Sequence, residues 1–93
     1  MNIRIIDIEA NDLLDKATKI HCLSYYDVND KDFGSLTFQK DIEEFFKEPN
    51  RIYVLHNGVR YDFPVLKKLY NIPTPEFIID SLAISIIRIF IIY

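Results

Sequence analysis

Asp7 and Glu9 stand one residue apart at the end of the isoleucine-rich stretch IRIIDIEAN, residues 3–11, and a third acid, Asp62, closes HNGVRYD, residues 56–62. On a strand, alternation places Ile3, Ile5, Asp7 and Glu9 on one face and Ile6 and Ile8 on the other. Apolar residues on both faces mark a central strand, and its acidic end is costly to bury without a partner or a cation. An all-oxygen carboxylate set suits Mg²⁺ or Mn²⁺ rather than zinc. Two such ions about 3.5 to 4 Å apart activate a water and stabilise the leaving oxygen in phosphodiester hydrolysis. Each acid also has a plain structural explanation. Asp7 and Glu9 can end a strand, Asp7 or Asn11 can cap the next element, and Asp62 can cap a helix whose first turn takes Phe63 and Pro64. For an isolated D-x-E that explanation is the commoner one.

Periodicity gives the elements that would carry these acids. Residues 3–8 read as the first strand, KIHCLSYYDV as a second, NDKD as a turn and FGSLTF as a third strand, so that the pair forms a hairpin. TFQKDIEEFFKEPN reads as a helix, with Ile42, Phe45 and Phe46 at helical spacing and Pro49 past its end. RIYVLHNG is a fourth strand, and a helix is predicted through VRYDFPVLKKLY with Phe63, Leu66 and Tyr70 on one stripe. After the loop NIPTP, EFIID is a fifth strand, and SLAISIIRIFIIY opens a last helix. This order predicts an α/β fold, a mixed five-stranded sheet with flanking helices. Ligands of such sheets bind beyond the carboxyl ends of the parallel strands. Asp7 and Glu9 lie at such an end, and Asp62 joins them if strands one and four are neighbours.

Composition narrows the function. The 93 residues make one domain, 49% hydrophobic and 14% aromatic, which is ample for a core. A net charge of −3 is the opposite of the basic excess with which non-specific duplex binders track phosphates. A site in which metal ions supply the positive charge remains open. The single cysteine, Cys22, excludes an internal disulfide framework and a zinc knuckle, and reads as a small buried hydrophobe in a reducing compartment. No signal peptide is visible, and the apolar tail LAISIIRIFIIY, with Arg88 inside its twelve residues, is short of the roughly 20 that span a bilayer. A cytoplasmic location, with no membrane contact, is expected. His56 is expected to satisfy backbone groups, and Lys67 and Lys68 to form a solvated face that with Arg60 can meet phosphates. Phe33, Phe38, Phe45 and Phe46 are expected in the core rather than as a base-stacking platform.

DIEAN-x-LL followed by LHNGVRYDFPVLKKL resembles the proofreading exonuclease domain of family A DNA polymerases from short-tailed phages. The likeness extends through KIHC and IIDSLAIS, to about Ser85. These are the first two motifs of the DEDD exonuclease superfamily, whose fold is RNase H-like. The resemblance implies a 3′–5′ exonuclease acting on the 3′ end of single-stranded DNA in a phage-infected or bacterial cell. It implies that Asp7 bridges two metals, Mg²⁺ or Mn²⁺, that Glu9 holds the one that activates water, and that Asp62 supports the other. By the same resemblance Asn11, Leu13, Leu14, Asn57 and Tyr61 border the substrate, with Leu13 or Leu14 against the terminal base.

The chain also departs from that family. A fourth carboxylate is expected on a later helix in a Tyr-x-x-x-Asp or His-x-x-x-Asp motif, and the sequence stops short of one. YDVND, Tyr26 to Asp30, matches literally but precedes the second motif and reads as coincidence. Asp80 matches a family position that is not a metal ligand. The expectation is a truncated exonuclease-like domain over residues 1–93, with an atypical apolar tail over 81–93 and an incomplete active site. Residues 82–93 are then expected to cover an open core face, to self-associate or to bind a partner. The alternatives are a non-catalytic module that binds protein, such as an inhibitor or accessory factor, and one piece of a split polymerase.

Overall fold

The computed structural model describes residues 1–82. Five strands, β1 (Asn2–Ala10), β2 (Ile20–Asp27), β3 (Asp32–Leu36), β4 (Arg51–Leu55) and β5 (Ile78–Asp80), form one sheet in the order β3-β2-β1-β4-β5. The hairpin strands run antiparallel, and β1, β4 and β5 run parallel to their neighbours in that half of the sheet. Two helices, α1 (Gln39–Lys47) and α2 (Phe63–Tyr70), supply the crossovers. The predicted mixed sheet is therefore present, with β1 at its centre and strands one and four adjacent. The last helix expected from Ser81, and the roles expected of the tail, fall almost wholly on residues 83–93, outside the described residues.

Alternation along β1 decides what each face does. Ile6 and Ile8 point into a core built with Leu23, Ile42, Phe45, Leu55, Phe63 and Leu66. Each large side chain so buried contributes about 1.5 to 3 kcal/mol. Ile42 is fully buried from α1 and Leu66 from α2, which identifies the sheet face the helices cover. Among the described residues the other face of β1 is open: Ile3 is 37% exposed and Ile5 44%, ahead of Asp7 and Glu9. The expectation of burial on both faces holds for one of them here.

Arg4, which in the sequence only interrupts an apolar run, is buried on the covered face. The β1–β2 register sets it opposite Asp27, to which its Nε and Nη2 donate at 2.6 and 2.9 Å. Nη1 donates to the Phe45 carbonyl at 3.2 Å, Nη2 also to Glu48 at 2.8 Å, and the guanidinium lies 3.9 Å from the Phe45 ring centre. Fork-shaped pairing is what makes arginine tolerable there. The same pair disposes of YDVND. Asp27 is spent on Arg4, and Asp30 sits exposed in the β2–β3 turn, at the end of the sheet away from Glu9. Phe33 and Phe38 correct the core expectation, being 76% and 71% exposed. Phe33 is on the edge strand β3, and Phe38 precedes α1.

Candidate active site

The site begins where two strands part. β1 and β4 pair in parallel register from Asn2 with Arg51 to Ile5 with Val54, after which β4 ends at Leu55 and the chain turns away. The β1 backbone beyond Ile5 thus loses its neighbour on that side. Asp62 takes the vacated place: its Oδ2 accepts the Ile8 N–H at 3.2 Å. Ile8 lies between Asp7 and Glu9, so the buried acid is fastened to the side of β1 at the position between the two exposed ones. The helix predicted over 59–70 starts differently from expectation, as a wide π-helical turn over Gly58–Asp62 that leads into α2. Asp62 has helical dihedrals and its side chain caps nothing, which overturns the cap explanation.

Asp62 is only 3% exposed. Burial pushes its carboxyl up to about 6, the Ile8 N–H bond pulls the other way, and the charges of Asp7 and Asp80 add to the rise. Asp7 is therefore near enough to repel Asp62, while Glu9 continues the same exposed face two residues on. The expected convergence is only partial. Among the described residues no three Asp, Glu, His or Cys side chains are grouped as a cation-holding cluster. An all-oxygen set is the donor chemistry of a hard divalent cation, and the pKa of its buried member is raised chiefly by burial and further by the neighbouring acids.

The loop that delivers Asp62 is tightly specified. Asn57 adopts the left-handed region at φ 62°, ψ 27°, which asparagine tolerates. Gly58 has no Cβ because one would collide with the Leu55 side chain. Asp80, beside Leu55 in the β4–β5 register, accepts the N–H groups of Asn57 (2.9 Å), Val59 (3.2 Å) and Leu82 (3.0 Å). Ser81 Oγ donates to the Leu55 carbonyl at 3.3 Å, and His56 Nδ1 lies 3.0 Å from that hydroxyl. His56 thus meets a side chain rather than the expected backbone groups.

The other candidates lie on the loop after β1 and, for Tyr61, on the π-helical turn. Tyr61 Oη donates to the Asp12 carbonyl at 2.9 Å, tying the π-helical turn to that loop. Asn11 closes the loop by accepting the Thr18 and Lys19 N–H groups at 3.0 and 3.1 Å rather than capping a helix. Leu13 is 70% exposed, and Leu14 packs partly against the core. Lys68, expected to be solvated, donates to the Leu14 and Asp15 carbonyls at 2.8 and 3.2 Å. For Asp80 and Lys68, both noted in the sequence, the bonds to backbone groups were not foreseen. Asp80's place at the end of the fifth strand was the only signal of it.

A cleft of about 460 Å³ between α1 and the segment after α2, lined by Phe46, Tyr70, Ile72 and Pro73 among others, includes none of these acids. Among the described residues no helix is long and apolar enough to cross a membrane.

Comparison with known proteins agrees with the geometry. The chain is 37% identical to a DNA-directed DNA polymerase of Enterobacteria phage T3 and 35% identical to one of Escherichia phage T7. Each alignment covers 87% of this chain but only 13% of the relative, so the chain spans about an eighth of those proteins. The model of the RNase H superfamily matches residues 5–90. With that match running through every strand of the mixed sheet, the chain belongs to the RNase H superfamily.

Proposed function

We propose that this domain binds the 3′ end of single-stranded DNA and carries the first three acids of a DEDD-type 3′–5′ exonuclease site, with Asp7, Glu9 and Asp62 holding Mg²⁺ or Mn²⁺. The observation that supports it best is the buried Asp62 carboxylate bonded to the Ile8 N–H between Asp7 and Glu9. When bound, such an ion supplies the positive charge and the activated water for phosphodiester hydrolysis. The chain's own part is to place the acids. Asp7 and Glu9 face outward from β1, Asp62 is held beside the strand by the Ile8 N–H, and the loop bearing Leu13, tied to the π-helical turn through Tyr61, lies alongside for the terminal nucleotide. Water adds to the terminal phosphorus, the bond from that phosphorus to the 3′ oxygen of the preceding nucleotide breaks, the freed oxygen takes up a proton, and the terminal nucleotide is released as a nucleoside 5′-monophosphate.

After Asp62 the sequence has only Glu76 and Asp80 as acids, and Asp80 is committed to backbone N–H groups. The reading includes a fourth carboxylate, and Asp80, committed to those backbone N–H groups, does not supply it. The test is incubation of the chain with 5′-labelled single-stranded DNA and Mg²⁺ or Mn²⁺, with Asp7→Ala in parallel. Stepwise shortening from the 3′ end that the substitution abolishes supports the proposal. A folded chain that neither shortens nor binds the strand sinks it.

A second reading, a protein-binding module, is favoured by the open apolar side chains of Ile3, Ile5, Tyr26 and Ile79 on the sheet. It predicts that Asp7→Ala leaves function intact while Ile5→Asp destroys it.

A further inference from the structure

We propose that Asp80 is the positioning residue of this site, a carboxylate that holds no cation itself but sets the place of Asp62. The inference rests on the reading of Asp62 as part of the site. Its basis is a continuous chain of bonds. Both Asp80 oxygens are used, Oδ1 by the Asn57 and Leu82 N–H groups and Oδ2 by the Val59 N–H. Asn57 and Val59 flank Gly58, whose backbone lies against the Leu55 side chain and leaves the turn little room to slide. From that turn the Asn57 carbonyl accepts the Tyr61 N–H at 3.0 Å, closing the helical turn that ends at Asp62. Asp62 then reaches the Ile8 N–H on β1.

β5 has only three residues, and its last, Asp80, stands level with Leu55, the last of β4. A short edge strand therefore ends in a group that gathers two N–H groups of the turn after its neighbour. A carboxylate serves here where an amide does not. With both oxygens acting as acceptors, an amide NH₂ would face an N–H in at least one of the two positions. Outer groups that orient metal-holding acids in this way typically contribute 10- to 100-fold in metal affinity.

The test uses the full chain and three variants, Asp80→Asn, Asp80→Glu and Ser81→Ala. Hydrogen exchange at the Ile8 amide, read by NMR without metal, reports the bond to Asp62 directly. Both Asp80 variants are expected to lose about tenfold or more of Ile8 protection, the scale of one hydrogen bond, while the Leu23 amide of β2 keeps its own. Asp80→Glu is decisive because it keeps the charge and moves only the oxygens. Mn²⁺ affinity, measured by water-proton relaxation, is expected to fall at least tenfold in both Asp80 variants and to stay near wild type in Ser81→Ala. Unchanged Ile8 protection in folded Asp80→Asn and Asp80→Glu would overturn the proposal. So would a loss at Ile8 matched by an equal loss at Leu23, since that marks general destabilisation. The exchange result is read without metal or DNA, so failure of the nuclease reading leaves it standing and is detected separately by the DNA assay.

Discussion

Two buried charges at opposite ends of β1 are handled in opposite ways, and the difference makes each testable. Arg4 holds Asp27 below the usual carboxylate range, chiefly through their hydrogen bond. That stability is present above the ordinary aspartate pKa and is lost as pH falls through the depressed one. Arg4→Met leaves Asp27 buried and uncompensated, and is expected to cost about 3 to 5 kcal/mol at pH 7 in urea unfolding. A loss below about 1 kcal/mol would show that the pair does not matter. Asp62 runs the other way. Its folded pKa is raised to about 6, so its contribution is full below the ordinary pKa and is lost as pH rises through 6. Asp62→Asn keeps an oxygen for the Ile8 N–H and removes the charge. It is expected to raise stability by roughly 1 to 3 kcal/mol at pH 8 and by much less at pH 4.5, as a shift of about two units implies. Destabilisation at pH 8 would mean that the carboxylate is not strained. Residue type and spacing, with the motifs around them, made Asp7, Glu9 and Asp62 candidates in the sequence. It did not show the bond from Asp62 to Ile8, which exists only because β4 leaves the ladder after Val54. Nor did it show the value of Arg4, since a charge in an apolar run reads as exposed until its partner 23 residues away is known.

Among the elements, the turn between β4 and α2 carries most of the specificity. Gly58→Ala forces a methyl group into the Leu55 side chain and is expected to cost about 1 to 3 kcal/mol in thermal unfolding. Pairing it with Leu55→Ala is expected to cost less than the two changes summed, since the collision disappears. Additive losses would show that the close approach is not what fixes the turn. The strands around this turn were legible because β-branched and aromatic residues alternate through IRIIDIE, KIHCLSYYDV and RIYVL. The start of α2 was not, because VRYD has no residue that distinguishes a π-helical turn from an ordinary first turn. The exposure of Phe33 and Phe38 was equally hidden. Strand propensity is blind to whether a strand is central or at an edge, and β3 is at an edge.

Across the molecule, the sheet order makes the site. β1 must be central and parallel to β4 for its acidic end to meet the turn that carries Asp62, and the order β3-β2-β1-β4-β5 meets that condition. Mixed strand direction was readable from the hairpin followed by helical crossovers, whereas the open face of β1 was not, since Ile3 and Ile5 are as apolar as Ile6 and Ile8. With a net charge of −3, the chain has no general attraction for a polyanion, so in the proposed reading the attraction is assigned to a cation at the acids. The most direct measurement is the thermal unfolding midpoint at pH 7.5 with and without Mn²⁺, for the wild-type chain and Asp62→Asn. A ligand at 100 times its dissociation constant adds about 2.7 kcal/mol. Mn²⁺ is expected to raise the wild-type midpoint by several degrees and to leave that of Asp62→Asn unmoved. An equal shift in both chains, or none in either, would contradict a cation site built on Asp62.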